Sequence, residues 1–245
     1  MSAEPKPLVT PNADYTVRDQ QRMSAATRYF QWQYELVRPH LGRRVLEVGC
    51  GLGNFTRLLA DRELVVGIDV EPNCMQNLLS HLRRQQNLVA RNLDVCDPDF
   101  RSLRSYCLDS IICLNVLEHI EDDRLALANL HAVLPSSGNA ILIVPAFEAL
   151  YGPIDTNLGH YRRYSKHGLR RLLESLGFRL EVMRFMNLLG FFGWWFNARV
   201  LKKTEQSKGQ ISIFDSLVVP VQSRLEGLLE PPCGQSIFVV ARKEH

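Results

Sequence analysis

The sequence predicts a doubly wound α/β fold, in which a mostly parallel sheet is covered by helices on both faces. Short, uniformly apolar segments alternate with helical segments, and the first of them runs directly into a glycine-rich turn. Strands that are apolar on both faces are typical of parallel sheets buried between helices. Ligands of such sheets bind beyond the carboxyl ends of the strands. The loops at these ends should therefore border one crevice.

The predicted elements follow one another along the chain. Five apolar segments are the predicted parallel strands, at 45–48, 64–68, 88–92, 110–114 and 140–144. Later strands are predicted at 179–185 and 236–241. Helices are predicted over 18–40, after the glycine turn, from Pro72, over 122–134 and after Ser165. Gly177 should end the last of these helices.

Composition indicates a soluble globular protein and argues against several other classes. The chain has 245 residues, of which 46% are hydrophobic and 22% charged. The N-terminus lacks the apolar core of a signal peptide, and no apolar run reaches the ~18 residues of a transmembrane helix. The net charge of +3 is too small to indicate a nucleic-acid partner. None of the six cysteines forms a Cys-x-x-Cys pair, which favours reduced, buried thiols of a cytoplasmic protein. Zinc binding by these cysteines is the alternative interpretation. We expect no metal.

The turn after the first strand is the strongest functional signal. It contains Glu47, Gly49, Cys50, Gly51, Gly53 and Asn54. Glycines allow a tight turn and let a ligand approach the backbone. A dinucleotide site would have G-x-G-x-x-G spacing, with pyrophosphate on the helix N-terminus. Here Asn54 replaces the last glycine, and the Glu47 carboxylate suits a cationic ligand better than a pyrophosphate. A purely structural strand–helix turn is the alternative interpretation.

Acidic residues follow the next two strands. Asp69 ends the second strand, where a carboxylate can accept hydrogen bonds from both ribose hydroxyls. It could instead cap the helix that begins at Pro72. Asp94 follows the third strand, where it could meet an adenine amino group or be a solvated loop residue. Together with Glu47, these positions at neighbouring strand ends predict one nucleoside-binding site.

Four segments resemble the successive motifs of class I S-adenosylmethionine-dependent methyltransferases: VLEVGCGLGNFT, VVGIDVEP, RNLDVCD and SIICLNVLEHIEDD. The resemblance covers about residues 40–180 and implies a seven-stranded sheet with an antiparallel last strand. It implies S-adenosylmethionine as cofactor and S-adenosylhomocysteine as product. Glu47 and the glycines would contact the methionine part, Asp69 the ribose and Asp94 the adenine, with Asn115 beside the methionine. We assign three neighbours and the turn asparagine to the same site: Cys50, Asn54, Val70 and Val95.

The segment after the fourth strand bears on the methyl acceptor. Nucleic-acid amino methyltransferases carry a Pro-Pro-aromatic motif there, whereas this chain reads NVLEH at 115–119. That segment resembles small-molecule O- and C-methyltransferases of the ubiquinone-biosynthesis type. Basic residues also form no stripe interleaved with aromatics. A small-molecule acceptor and no nucleic acid are therefore expected. Methylation of a protein, a non-catalytic cofactor-binding protein and a dinucleotide-dependent oxidoreductase are the alternatives.

Two histidines are the predicted catalytic residues. Methyl transfer needs mainly alignment, because the sulfonium already activates the methyl group. A general base helps when the acceptor is a hydroxyl. His119 follows the fourth strand and His160 lies in the loop after the fifth, so both should approach the crevice. The alternative for each is a structural role, in which the histidine side chain forms a hydrogen bond with a backbone group.

The loop after the fifth strand also predicts acceptor-binding residues. LGHYRRYS at 158–165 resembles a bacterial methyltransferase group, and Arg162, Arg163 and Tyr164 are the predicted contacts. Neighbours in extended chain face opposite sides. Arg162 is therefore expected to bind an anionic group of the acceptor, with Arg163 binding a carboxylate such as Asp155 or facing solvent. A solvated basic loop is the alternative.

Four parts make up the predicted domain organisation: a lead-in and helix covering the cofactor site (1–40), the core (41–184), a helical insertion (185–234) and a final strand (235–245). The insertion separates strands that usually form a hairpin in this fold, and it is rich in aromatic residues such as Trp194 and Trp195. It could be helices packed on the sheet. It could also cover an apolar or lipid-linked acceptor, with residues 185–203 touching a membrane surface.

Overall fold

One seven-stranded sheet organises the chain in the computed structural model, which describes residues 13–199 and 207–244. The strands are β1 (Arg44–Val48), β2 (Leu64–Asp69), β3 (Leu88–Asn92), β4 (Ser110–Leu114), β5 (Asn139–Pro145), β6 (Phe178–Met186) and β7 (Ser236–Lys243). Their order is β3-β2-β1-β4-β5-β7-β6. β7 runs antiparallel to β5 and β6, and the other pairs are parallel. The predicted fold class is confirmed.

Helices cover both faces of the sheet. They are α1 (Ala13–Met23), α2 (Thr27–Val37), α3 (Pro72–His81), α4 (Asp123–Val133), α5 (Pro153–Leu158), α6 (Lys166–Ser175), α7 (Leu188–Arg199), α8 (Lys208–Ile213) and α9 (Val219–Leu228). A π-helical turn, Phe214–Val218, joins α8 to α9. Short 3₁₀ helices occupy Arg38–His40, Thr56–Leu59, Pro98–Tyr106, Leu117–His119 and Glu148–Leu150. Thus α7, α8 and α9 form the helical insertion that was predicted before the last strand.

The core lies on both sides of the sheet because successive residues of each strand point to opposite faces. On one face, Leu46 and Leu142 belong to a cluster that α4 and α6 complete. On the other, Val45 and Ile141 pack with α2 and α9. All four of these side chains are fully buried. This two-sided burial explains why the strands are apolar throughout.

Two predicted helices differ from the structure. The helix predicted over 18–40 is divided, because α1 ends at Met23 and α2 begins at Thr27. α2 packs Trp32 and Val37 into the core, whereas α1 reaches the glycine turn, and one straight helix could not make both contacts. The turn is followed by a 3₁₀ helix, Thr56–Leu59, in place of an α-helix. This short connection must return to the start of β2, and a 3₁₀ helix advances about 2.0 Å per residue against 1.5 Å.

Some predictions concern parts of the chain that are not described. Residues 1–12 of the predicted lead-in, 200–206 of the insertion and 245 lie outside the described ranges. All six cysteines are unpaired, but only Cys50, Cys74 and Cys113 are buried; the prediction of buried thiols is wrong for Cys107, which is exposed. Within residues 13–199 and 207–244, no helix has the length and apolarity to cross a bilayer.

Candidate functional site

A cavity of about 800 Å³ opens at the carboxyl edge of the sheet. Most of the residues predicted to bind the cofactor line it: Glu47, Gly49, Cys50, Gly51, Asn54, Asp69, Val70, Asp94, Val95 and Asn115. Both predicted catalytic histidines, His119 and His160, line the same cavity, as does Arg163. The loops after five neighbouring strands, β1 to β5, therefore meet around one space, as expected for a doubly wound sheet.

The glycine turn is held in a conformation that favours glycine. Gly49 and Gly51 have φ angles of +71° and +51°, in the left-handed region that costs other residues energy. α1 is fastened to this turn through Gln20. The Oε1 atom of Gln20 accepts a hydrogen bond from the Leu52 N–H at 3.1 Å, and its carbonyl accepts one from Asn54 Nδ2 at 3.0 Å. Gln20 also lines the cavity, and no sequence motif predicted this contact.

Gly53 requires a correction. It was predicted to contact the cofactor, but it is not among the described residues that line the cavity. A Cβ atom on Gly53 would lie 2.6 Å from Cδ1 of Leu78 and 3.2 Å from Cδ1 of Leu82. With a φ of +83°, Gly53 lets the turn pack closely against α3. In this structure Gly53 therefore allows the turn to pack against α3.

Asp69 joins the second strand end to the glycine turn. One carboxylate oxygen accepts from the Gly51 N–H at 2.8 Å, and the other accepts from the Glu71 N–H at 3.0 Å. Burial raises the pKa of Asp69, while these two hydrogen bonds act in the opposite direction. Each oxygen keeps a further lone pair for a ligand hydroxyl. The helix that begins at Pro72 is capped by Glu71 instead, through the Asn73 N–H.

Replacing Asp69 with alanine is expected to weaken S-adenosylmethionine binding by about 1–3 kcal/mol, the cost of losing hydrogen bonds to a charged group. The substitution also releases the Gly51 N–H, so part of this loss should come from a looser turn. Asp69→Asn keeps one oxygen acceptor and should lose less. Calorimetric titration of both variants, with circular dichroism as a folding control, measures the difference. Equal affinities for wild type and Asp69→Ala would contradict the ribose assignment.

Glu47 is a buried carboxyl group on the cavity wall. Only 5% of it is exposed, and one of its oxygens, Oε2, has no hydrogen-bond partner in the described part of the chain. Burial and the nearby charge of Asp69 raise the pKa of Glu47 to about 8. The group is therefore mostly protonated at pH 7. A cationic ligand would stabilise its ionised form, which fits the ammonium and sulfonium of S-adenosylmethionine.

Binding of S-adenosylmethionine at pH 7 is expected to release a proton from Glu47. Because the pKa of the free group is about 8, affinity should rise with pH and level off above this value. The same shift makes the ligand-free protein less stable as pH rises from about 4.5 to 8, since the folded state then holds a proton that the unfolded state has lost. Titration calorimetry in two buffers of different ionisation enthalpy measures the release. Glu47→Gln should abolish this contribution, and equal proton release in that variant would contradict the assignment.

Asp94 and Asn115 complete the predicted cofactor wall. Asp94 is exposed at the rim, and its Oδ1 accepts from the Cys96 N–H at 2.8 Å. Asn115 has a φ of +55°, and its N–H donates to the Ile143 carbonyl at 2.7 Å, which continues the β4–β5 ladder. The positive φ turns the chain sharply after β4. Their contacts with a cofactor stay predictions.

The two histidines face each other closely. Their ring centroids are 4.6 Å apart at an angle of 88°. His160 Nδ1 lies 2.8 Å from Oδ1 of Asp155, which is fully buried. Loss of water contact, together with the neighbouring His160, lowers the pKa of His119 to about 3. His119 is therefore neutral and a weak proton acceptor, whereas His160 is oriented by a carboxylate.

Asp155 also binds Arg163 in the interior. Arg163 Nε donates to Asp155 Oδ1 at 2.8 Å, and Nη1 donates to the Ala146 carbonyl at 3.1 Å. The guanidinium lies 4.8 Å from the ring centre of Trp194 in α7. Burial raises the pKa of Asp155, but the hydrogen bond from His160 and the Arg163 charge outweigh it and lower the pKa. The sequence analysis predicted Asp155 only as a partner of an arginine. Asp155 lies five residues before His160, and this short separation could have predicted that the two side chains interact.

The structure corrects the predicted roles of Arg162 and Tyr164. Neither is among the described residues that line the cavity. Arg162 Nη1 pairs with Asp123 at 2.9 Å, and the Tyr164 hydroxyl donates to the same carboxylate at 2.9 Å. A buried tyrosine hydroxyl needs such a partner. These two residues therefore fasten the loop to the start of α4, and of the predicted acceptor contacts only Arg163 lies at the cavity.

Glu118 is the third polar group beside the histidines. It is 1% exposed, and burial raises its pKa to about 7 even though His160 and Arg163 act to lower it. Its Oε2 atom has no hydrogen-bond partner among the described residues. One ligand atom from each of Glu118, His119 and His160 lies within 4.8 Å of the others. Nitrogen and carboxylate donors are those that zinc and similar divalent ions use. The absence of a metal stays a prediction, and this cluster is where an ion would bind.

The sequence is similar to known methyltransferases. A family model described as a methyltransferase domain matches residues 18–182. A ubiquinone biosynthesis O-methyltransferase of Coxiella burnetii is 28% identical over 101 residues, covering 40% of this chain and 41% of the relative. The chain thus matches about two fifths of that protein's length. A Mycolicibacterium smegmatis protein described as a probable S-adenosylmethionine-dependent methyltransferase is 28% identical over 166 residues, covering 64% of this chain and 62% of the relative.

Solved structures show the same fold. The N-methyltransferase NodS of Bradyrhizobium japonicum WM9, in complex with S-adenosyl-L-homocysteine, superposes with a TM-score of 0.55. The match covers 89% of this chain and 85% of NodS at 15% sequence identity. At this identity the likeness concerns the fold alone.

Proposed function

This chain belongs to the methyltransferase domain family, and on that premise we propose that it transfers the methyl group of S-adenosylmethionine to a small molecule. One observation carries the proposal. A single cavity holds the acidic residues of the strand ends, Glu47 and Asp69, together with the paired histidines His119 and His160. The first pair suits a cationic nucleoside ligand, and the second pair supplies proton chemistry beside it.

The cofactor wall fits S-adenosylmethionine in charge and in hydrogen bonding. When bound, the cofactor supplies a methyl group already activated by the sulfonium. Glu47 offers a buried carboxylate oxygen to the cationic methionine part, and Asp69 offers acceptors to the ribose hydroxyls. Gly49 and Gly51 bring the backbone close to the ligand. A reactive group aligned in this way needs little further help from the protein.

His160 is the general base in this proposal. The pKa of Asp155 is lowered, so its carboxylate is ionised and accepts the Nδ1–H of His160. This fixes the tautomer and leaves the lone pair on Nε2. Nε2 takes the proton of an acceptor hydroxyl as its oxygen bonds to the methyl carbon; the carbon–sulfur bond breaks and its electron pair stays on sulfur. His119, which is neutral, contacts the acceptor beside it.

The acceptor is a small molecule that is apolar or anionic. Arg163 and Trp194 line the acceptor side of the cavity, one cationic and one aromatic. The acceptor atom is oxygen in the mechanism above, with nitrogen or carbon as the alternatives. The name of the Coxiella burnetii relative, a ubiquinone biosynthesis O-methyltransferase, favours oxygen. Protein methylation and non-catalytic cofactor binding are the competing functions.

Each of the four predicted parts of the chain has a role in the proposed function. In the predicted lead-in, 1–40, the described residues cover the cofactor, because Gln20 contacts the glycine turn. Residues 41–184 form the core, and β7 of the segment 235–245 adds the last strand. In the insertion, 185–234, the described helix α7 covers the acceptor side through Trp194.

Turnover with labelled methyl donor tests the function. The purified protein is incubated with the donor and with small-molecule or protein fractions of a cell extract, and S-adenosylhomocysteine is measured. Label in the small-molecule fraction supports the proposal, and label only in the protein fraction supports the protein alternative. Tight binding without turnover in either fraction supports a binding protein, and preference for NAD in calorimetry contradicts the proposal.

Removing metal ions with a chelator distinguishes two roles for the cluster of Glu118, His119 and His160: proton transfer by His160 and binding of a metal ion. If His160 is the base, then EDTA treatment followed by gel filtration should leave turnover unchanged. Loss of turnover that is restored by a divalent ion would assign these side chains to a metal instead. Elemental analysis of the untreated protein gives an independent answer.

A further inference from the structure

The helical segment formed by α8, the π-helical turn and α9 carries its apolar side chains outward. Six of them are well exposed: Ile213 (61%), Leu217 (67%), Val221 (54%), Leu225 (59%), Leu228 (81%) and Leu229 (77%). The first four follow one another at a spacing of four residues, which places them along one face of the helix. We name these six residues the outer stripe.

The inner face of the same segment buries Ile211 and Val219, and it also carries polar side chains that bind the starts of neighbouring helices. Asp215 accepts from the Tyr29 N–H at 2.8 Å and from the Arg28 N–H at 3.3 Å, at the start of α2. Glu226 accepts from the Leu188 N–H at 2.9 Å and from Asn187, at the start of α7. These contacts satisfy N–H groups that a helix start leaves unpaired. The inward side therefore makes the contacts with the core, and no residue of the outer stripe belongs to the core clusters of the described residues.

α7 presents a second exposed apolar surface beside the cavity. Its sequence from Leu188 to Ala198 contains no charged residue. Trp194 faces inward against Arg163, whereas Phe192, Trp195 and Phe196 are 55%, 48% and 46% exposed. Within the range 185–203, for which membrane contact is one of the two predicted alternatives, Trp194 is buried and Trp195 is exposed. We name Phe192, Trp195 and Phe196 the aromatic patch.

We propose that the outer stripe and the aromatic patch dock this protein on an anionic lipid bilayer. Exposed apolar surface of this extent marks an interaction site, and aromatic side chains are favoured at the lipid interface. The helices that carry it would lie in the plane of the interface with their apolar sides in the headgroup region.

The basic side chains near the outer stripe favour an anionic lipid surface as the partner over a second copy of the chain. Between residues 207 and 229, the exposed charged side chains are Lys208, at the start of α8, and Arg224, between Val221 and Leu225 of the stripe. Both are basic, whereas the two acidic residues of this range, Asp215 and Glu226, are buried. Pairing two copies through this region would bring like charges together, whereas anionic headgroups attract each of them.

Docking on a bilayer would also determine the route by which a methyl acceptor enters the cavity. α7 separates the aromatic patch from the cavity, because Trp194 on its inner side lines that cavity. An acceptor with an apolar tail could thus pass from the bilayer into the site beside Trp194. This consequence for the acceptor rests on the proposed function, whereas docking itself does not.

Vesicle sedimentation tests the docking. The full chain is mixed with phosphatidylcholine vesicles that contain or lack phosphatidylglycerol, at low and high salt. The wild type should sediment with the anionic vesicles at low salt, and Leu217→Ser/Val221→Ser/Leu225→Ser should reduce the bound fraction about tenfold or more. Trp195→Ser/Phe196→Ser should have a similar effect.

A matched control uses exposed leucines outside both surfaces. Leu79→Ser/Leu125→Ser removes side chains that are 50% and 41% exposed on α3 and α4, and it should bind vesicles like the wild type. Thermal unfolding and S-adenosylmethionine binding are measured for every variant; normal values show an intact fold, and they separate docking from the proposed function. A wild type that stays in the supernatant overturns docking, as does a triple variant that binds fully. A dimer in ultracentrifugation that the triple variant dissociates, without vesicle binding, assigns the stripe to self-association and also overturns it.

Discussion

Replacing His160 with alanine is expected to lower the turnover rate about 10²–10⁴-fold, the usual contribution of a general base. The affinity for S-adenosylmethionine should not change, because His160 lies on the acceptor side of the cavity. Single-turnover measurements with a hydroxyl acceptor, together with calorimetry for the cofactor, separate these two effects. The same variant should lose little activity toward an acceptor that needs no proton removal.

Asp155→Asn is the companion test of orientation. An amide retains the size of the carboxylate but loses the charge that stabilises the imidazolium of His160. It should therefore lower turnover in the same direction and by a smaller factor. Both substitutions leave Arg163 without its buried counter-charge, which costs about 3–5 kcal/mol, so thermal unfolding is the folding control. Asp155→Ala is less informative, since it also removes the oxygen that accepts the hydrogen bonds of His160 and Arg163. His167, exposed in α6, is the matched control, and His167→Ala should keep full activity. Normal turnover of folded His160→Ala on a hydroxyl acceptor would exclude the base assignment.

Replacing Gly51 with valine is expected to abolish measurable binding of S-adenosylmethionine while the fold is kept. Gly51 has a φ of +51°, and a β-branched residue there is strained by roughly 1–2 kcal/mol or more. A Cβ atom would also lie 2.3 Å from Oε1 of Gln20, so the contact between α1 and the turn must break. The collision is thus with α1 rather than with the cofactor directly. Calorimetry measures the loss, and circular dichroism checks the fold.

A second substitution separates strain from collision. If the contact with Gln20 is the main obstacle, Gly51→Val/Gln20→Ala should recover part of the affinity; if φ strain dominates, it should not. Gly227→Val is the control, because a Cβ there meets nothing within 4 Å and its φ is not in the left-handed region. Normal cofactor binding by a folded Gly51→Val protein would be incompatible with a role of this turn in the site.

The alternating apolar segments and the residues at strand ends could be read from the sequence. Burial on both faces requires an apolar strand throughout, so the strands at 45–48 and 110–114 were located closely. Asp69 was placed at the cavity because a residue that ends a parallel strand necessarily reaches the carboxyl edge of the sheet. These are consequences of local pattern and topology, and they needed no knowledge of side-chain direction.

Side-chain direction in the loops could be decided only by the tertiary structure. Arg162 and Arg163 are chemically alike and adjacent, and it is the position of Asp155 and Asp123 that turns one to the cavity and the other to α4. Gly53 resembles its neighbours in sequence, yet contact with Leu78 gives it a packing role. Such outcomes depend on partners that are distant in the chain, and no local pattern encodes them.

The sequence by itself determined the sheet, its two-sided burial and the strand ends where a cofactor would bind, because periodicity and topology suffice for these. The tertiary structure alone decided the division of the first helix, the pairing of His160 with Asp155 and the outward stripe on α8 and α9. The stripe shows the reason. Periodicity reveals that a helix has two faces, but the face that turns inward depends on distant partners, here the core around Val219 and the N–H groups at the starts of α2 and α7.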